Sequence, residues 1–330
     1  MTWDSVPWAV GGGAQHSPEL ARLVAYTATS GADGVVQVGD LKVVPLEAPG
    51  GSVRVLMGAC LIPGRFTGQV AQTYSARNLS EDVVAITATG SGSGRVDMVV
   101  ARIEDPYPSG SAFPTPPDPA TGPYVFSRVI SNVPASAIAS GPAARAYLAA
   151  EGITATPLAG ITLPASTGTI TEGMITDLRT IARPRSRRIM KAAAPIADQF
   201  LDTDVRKIWP SYRPVVHVPT WANHAVVTVT LSSIGLIGDG TAGRLMAVLG
   251  GTGTPGAGIS TATTEFVLPS TDVGAWRSIV VAGDFGDVSA YAGQDVYLQV
   301  EGWKNLSPAG YLTTGDGTQV VYDIYFEERI

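Results

Sequence analysis

Thr171 to Pro214, TEGMITDLRTIARPRSRRIMKAAAPIADQFLDTDVRKIWPSYRP, is the stretch on which the reading of this chain turns. It holds Arg179, Arg183, Arg185, Arg187, Arg188, Lys191, Arg206, Lys207 and Arg213, nine of the 22 cationic residues in a chain whose net formal charge is -6. Ile175, Leu178 and Ile181, and later Ile189, Ile196 and Phe200, supply apolar positions suited to one helical face. Pro184 and Pro195 divide the stretch, so the expectation is helices over about 172–182 and 186–208. The sequence on both sides is rich in Gly, Thr, Ser and Val, which favours strands and turns.

Working outward, the expected fold is mainly β: an N-terminal antiparallel β module with short helices (1–170), a helical connector (171–214) and a C-terminal jelly-roll-like β-sandwich (215–330). A length of 330 residues suits two domains, each with a core of its own. With 45% hydrophobic residues and only 15% charged, the chain has the composition of a folded protein. Its 38 glycines and 24 prolines limit long helices.

Residues 1–16, with Trp3, Trp8 and the run Gly11–Gly13, read as an extended arm whose tryptophans seek a neighbouring surface. Ser17-Pro18-Glu19 starts a short helix: a capping side chain, a proline at the first helical position and an early acid. From Gly34 the period changes to two, through VVQV, LKVVPL, SVRVLMGACLI, GQVAQTYSA, DVVAITA and RVDMVVARI. DPYPSGSAFPTPPDPATGP, 105–123, carries seven prolines and reads as a polyproline-like loop. A strand, YVFSRVISNV, precedes a helix between Ser140 and Glu151, and a strand pair near ATPLAGITLPAS completes the module. Beyond Pro214, HAVVTVTLSSIGLI, GRLMAVLGG, TTEFVLP, WRSIVVAGDF, DVYLQVEGWK and QVVYDIYFEERI read as strands with intervening glycine-rich turns.

Groups suited to catalysis are few, and the expectation is a protein that is not an enzyme, with no cofactor and no metal. His16, His217 and His224 fit no ligand spacing, and the single cysteine, Cys60, lies in the apolar run VLMGACLI as a buried small hydrophobe. GSGSG at 90–94 has glycine where an esterase nucleophile would stand. GDGTAG (238–243) and GTGTPG (251–256) match a dinucleotide-loop pattern, but strands follow them where a helix is needed, so they read as hairpin loops. Asp202-Thr203-Asp204 lacks the rest of a calcium loop. The pairs Asp284/Asp287 and Glu327/Glu328 are the nearest approach to glycosidase acids. Net negative charge argues against nucleic acid, so RPRSRR reads as a solvated or subunit-pairing face. The start, MTWDSVPW, has no basic region followed by an apolar one, and no apolar run is long enough to span a bilayer, so synthesis in the cytoplasm without membrane insertion is expected.

The last module carries the candidates for ligand contact. Trp303 and Tyr311 flank the turn GWKNLSPAGY, and with Trp276 they are the aromatic platforms expected to meet a glycan. For oligomer contact the expected residues are Trp3, Trp8, Ile175, Leu178, Ile181, Arg187, Arg188, Ile189, Ile196 and Phe200.

HSPELARLVAYTATSGADGVVQVGDLKV, PGGSVRVLMGACLIPG, TYSARN and GRVDMVVARIEDPY, in that order over about 14–130, resemble the N-terminal half of minor tail proteins from long-tailed bacteriophages of actinobacteria. ITEGMITDLRTIARPR, 170–185, is similar to the ending such modules have before variable C-terminal domains, and 215–330 resembles no named family. The resemblance implies a virion protein of the tail tip or baseplate, homo-oligomeric and by analogy with fibres trimeric. It also implies other phage tail proteins as partners, with the C-terminal module facing a host-surface glycan or envelope. A stand-alone carbohydrate-binding module and, further off, a cell-envelope hydrolase are the alternatives.

Overall fold

The computed structural model describes residues 17–69, 71–105, 124–194 and 198–330; Trp3, Trp8, His16 and Ile196 lie outside them. The chain divides into two compact units between Arg183 and Pro184.

In the first unit, helix α1 (Pro18–Thr29) begins where the Ser17 hydroxyl accepts the Leu20 N–H at 3.2 Å, and it ends as Ser30 turns left-handed with φ of 56°. Short strands β1 (Gly34–Val35), β2 (Val43–Pro45), β3 (Ser52–Val55), β4 (Gly58–Pro63), β5 (Thr73–Asn78) and β6 (Asp82–Ala85) form two small sheets, in the orders β1-β4-β5 and β2-β3-β6. Longer strands β7 (Arg95–Ile103), β8 (Val125–Ile130), β9 (Ala155–Leu163) and β10 (Ile175–Asp177) form an antiparallel sheet, ordered β10-β9-β7-β8. Both faces of β7 are covered. Val99 packs with Val53, Ile62 and Ile161 on one side, while Met98 and Val100 pack with Leu148 of α2 (Gly141–Ala150) on the other. That double burial is why β7 reads as a continuous apolar run rather than an alternating one.

The second unit is a two-sheet sandwich. Its strands are β11 (Ser186–Ala193), β12 (Phe200–Leu201), β13 (Lys207–Ile208), β14 (Val215–His217), β15 (His224–Ile237), β16 (Gly240–Leu249), β17 (Ile259–Ser260), β18 (Thr264–Pro269), β19 (Trp276–Asp287), β20 (Asp295–Lys304) and β21 (Tyr311–Glu327). Among the described residues one sheet runs β11-β21-β15-β19 with β12 also on β21, and the other centres on β20 and β16 with β13, β14, β17 and β18 alongside. Ala225, Val227, Val229 and Leu231 point inward from β15 to meet Leu245, Ala247, Leu298, Val300, Tyr322 and Ile324. Tyr322 places its ring in this core and donates its hydroxyl to the Tyr212 carbonyl at 2.9 Å, so the polar tip is not left unpaired.

Mainly β, with an antiparallel first module and a C-terminal sandwich, is what the structure shows. The helical connector is not. A single 3-10 turn, Glu172–Met174, is the helical element of the described part of 171–214; β10, β11, β12 and β13 occupy the rest of its regular structure. The segment is threaded into both units: β10 pairs with β9, while β11 pairs along its whole length with β21, from Ser186↔Glu327 to Ala193↔Val320. Strand partners, supplied for β11 and β12 from more than a hundred residues away, override the local apolar spacing. One boundary at 183/184 therefore replaces the expected pair at 170/171 and 214/215. Leu178, 1% exposed, and Ile181 are buried inside the first unit, so neither offers a surface for a second chain. GDGTAG is also not a hairpin, because β15 and β16 belong to different sheets; GTGTPG does lie in the hairpin between β16 and β17.

Candidate functional site

The sandwich carries a cleft of about 570 Å³ on its outer face, lined by Asp198, the Gly235–Ile237 end of β15, Gly274–Trp276 and the Thr313–Gly317 part of β21. An irregularity in the sheet creates it. Along β15 the inward side chains are odd-numbered up to Leu231 and even-numbered from Ile234, because the register slips between Ser232 and Ile234. The slip turns Gly235 outward. On β21 the register passes from Gln319 to Thr314 over the same step, so Gly315–Thr318 make an excursion from the ladder. The Thr318 hydroxyl pins that excursion by donating to the Ser233 carbonyl at 2.6 Å and accepting the Gly315 N–H at 2.8 Å.

Trp276 lies on the shelf so formed. A Cβ placed on Gly315 would stand 2.5 Å from the indole edge and one on Gly235 would stand 3.1 Å from it, so the ring rests against backbone at both positions. Trp276 is 53% exposed. Asp198 and Asp316, both exposed, line the same cleft, and among the described lining residues there is no Lys or Arg. Beside it, Tyr311 pairs with Ile237, and Phe200 meets the Tyr311 ring edge-on at 5.6 Å.

Of the three expected glycan-contact residues, Trp276 lines this cleft and Tyr311 stands on the same strand end, whereas Trp303 is on β20, opposite Arg244 in the other sheet. Gly235, Gly315 and Thr318 are the site residues that sequence reading missed. A glycine inside the strand run SSIGLI was the available signal for a close approach.

Of the described oligomer-contact candidates, Arg187 is exposed on β11, Arg188 is paired with Asp323 at 2.7 Å, Ile175 and Ile189 are partly buried against their own cores, and Phe200 is 38% exposed.

The paired carboxylates are engaged elsewhere. Asp284 accepts the Gly286 N–H at 2.6 Å and meets His224 Nε2 at 3.0 Å, and the backbone bond foremost holds its pKa low. Asp287 accepts the Ser289 N–H, and Glu328 takes the Arg185 guanidinium at 2.6 Å; hydrogen bonds hold both carboxyls below their ordinary values. General acids need the opposite shift. His217 pairs with Asp295 at 2.8 Å on the surface. Burial pushes the Cys60 thiol up to about 12, which leaves it a packing residue. Among the described residues no group of three or more His, Cys, Asp or Glu side chains is placed to hold a metal, and no helix is long and apolar enough to cross a membrane.

No family model and no curated protein matches the chain. Among solved structures it is similar to the VP2 subviral particle of infectious bursal disease virus, at 13% identity over 96% of this chain and 83% of that one, with a TM-score of 0.26. The Gx strain of the same virus gives 11% identity over 95% and 86%, with a TM-score of 0.25. Scores of this size carry no argument about fold or role.

Proposed function

We propose that this chain is a structural component of a bacteriophage tail, at the tail tip or baseplate, that attaches through its first unit and displays its second toward the host surface. The observation that carries the reading is a coincidence of boundaries. The phrases resembling minor tail proteins run through 14–130 and 170–185, and the first compact unit closes at Arg183. Within the sandwich beyond that point, residues 215–330 resemble no named family, as a host-contacting module would. Its role is mechanical. Among the acids that come nearest to a catalytic pair, Asp284 and Asp287 accept backbone N–H groups and Glu328 accepts the Arg185 guanidinium.

Within this reading the chain works as a homo-oligomer, with three copies as the proposed number, alongside other tail proteins. Antiserum raised against residues 184–330 tests it: the serum should label tails of intact particles and block adsorption. Particles that lack the chain would leave the second reading, a saccharide-binding protein acting outside the virion, which the cleft beside Trp276 favours.

A further inference from the structure

We infer that the Trp276 cleft is a saccharide site that takes an uncharged pyranose ring and discriminates against anionic sugars. This deepens the reading of the second unit as a host-contacting module. Three observations converge on it. First, the benzo end of the indole is backed by Gly235 and Gly315, so the ring is braced while Trp276 stays 53% exposed. A braced aromatic plane loses little freedom when a second flat surface stacks on it, and the C–H face of a pyranose supplies such a surface.

Second, the exposed polar residues at the cleft are acids, Asp198 and Asp316, acceptors of the kind sugar hydroxyls need, whereas Thr313 and Thr314 are buried. Asp198 is placed by its own N–H, which donates to the Thr314 carbonyl at 3.1 Å, and the backbone holds it there at a φ of 61°. Two acids with no lysine or arginine among the described lining residues repel a uronate, a sialate or a phosphate. Third, a volume of about 570 Å³ lies within the roughly 300–1,000 Å³ of small-ligand sites. The nearby Arg277 does not alter the balance, because it is bound to Asp272 at 2.6 Å.

Saturation-transfer NMR on the full chain tests the site, with the methyl glycosides of glucose, galactose and mannose and with N-acetylglucosamine as neutral probes, and glucuronic and sialic acids as anionic ones. At least one neutral probe should receive saturation and the acids should not. Trp276→Ala should weaken the bound probe by about tenfold or more, the equivalent of returning roughly 60 Å² of apolar surface to water. Gly315→Ala should do the same with the indole still present, since its new methyl displaces the ring, and far-UV circular dichroism of both variants should match the parent. Asp316→Asn should relax the exclusion of acids. Neutral probes that all fail, acids that bind equally well, or binding indifferent to both Trp276→Ala and Gly315→Ala would overturn the inference. Particle labelling reads the tail assignment separately, so either can fail while the other stands.

Discussion

Arg179→Ala is the substitution that most sharply separates a threaded connector from a free helical one. The Arg179 side chain is 3% exposed and donates from Nη1 to the Val38 carbonyl at 2.9 Å and the Asp40 carbonyl at 2.6 Å, while Nε and Nη2 hold Asp177 at 3.0 and 2.7 Å. Hydrogen bonds from a charged group contribute about 1.5–3 kcal/mol each. The Asp177 carboxylate is 38% exposed and re-solvates when its partner leaves, so that pair adds little. The two carbonyls lie in a partly exposed loop that water can reach, which sets the loss near the lower end, about 3 kcal/mol. For a unit of this size that is a fall in melting temperature of roughly 6–12 °C. Differential scanning calorimetry of the full chain should show the fall in one transition, with the transition of the sandwich unmoved. Arg183→Ala is the control, since the Arg183 guanidinium meets one exposed carbonyl, Ala28, and its loss should be within about 1 kcal/mol. If Arg179→Ala melts within about 2 °C of the parent, under 1 kcal/mol on the same scale, residues 171–183 are not held as described.

Three further outcomes follow from the sandwich. Glu301 is fully buried and accepts from Arg206, from Gln299 Nε2 at 2.6 Å and from the Gly256 N–H at 2.9 Å. Arg206→Ala should cost about 3 kcal/mol in urea unfolding followed by tryptophan fluorescence, and adding Glu301→Gln should restore part of it, because the uncompensated charge is then gone. Hydrogen bonds from Arg185 and Arg188 depress the pKa values of Glu328 and Asp323 below the ordinary 4.5 and 3.8. A depressed carboxyl stabilises the fold above its ordinary pKa and loses that contribution as pH falls through its folded value. Urea midpoints should therefore hold from pH 7 to 5 and drop below about pH 4, less steeply in Glu328→Gln. A fragment of residues 184–330 should fold, whereas one starting at 215 should not, since it lacks β11 along β21 and the buried Leu201 and Trp209.

Both α-helices of the described residues are legible in the sequence because their start signals are local: Ser17 and Ser140 each cap with their own hydroxyl, and a proline follows within two residues. The alternation in β15 and the unbroken run in β7 are equally local records of one-sided and two-sided burial. The connector was misread for the converse reason. Strand β11 is an edge, and its pattern of exposure shows almost no alternation, so its Ile189 and the alanines at 192–194 look compatible with a helix. Only β21, more than a hundred residues later, settles the matter. The cleft is half legible. Trp276 announces itself as an aromatic near a turn, but the glycine shelf beneath it depends on a slip in register that no single strand reveals.

Cryo-electron microscopy of purified phage particles, with peptide mass spectrometry of the same sample, tests the central claim most directly. The account predicts peptides of this chain in the particle, density for residues 17–183 seated on the tail, and the 184–329 sandwich standing outward with the Trp276 cleft open to solvent. Particles without those peptides, or density with the sandwich seated in the tail and the first unit outermost, would contradict it.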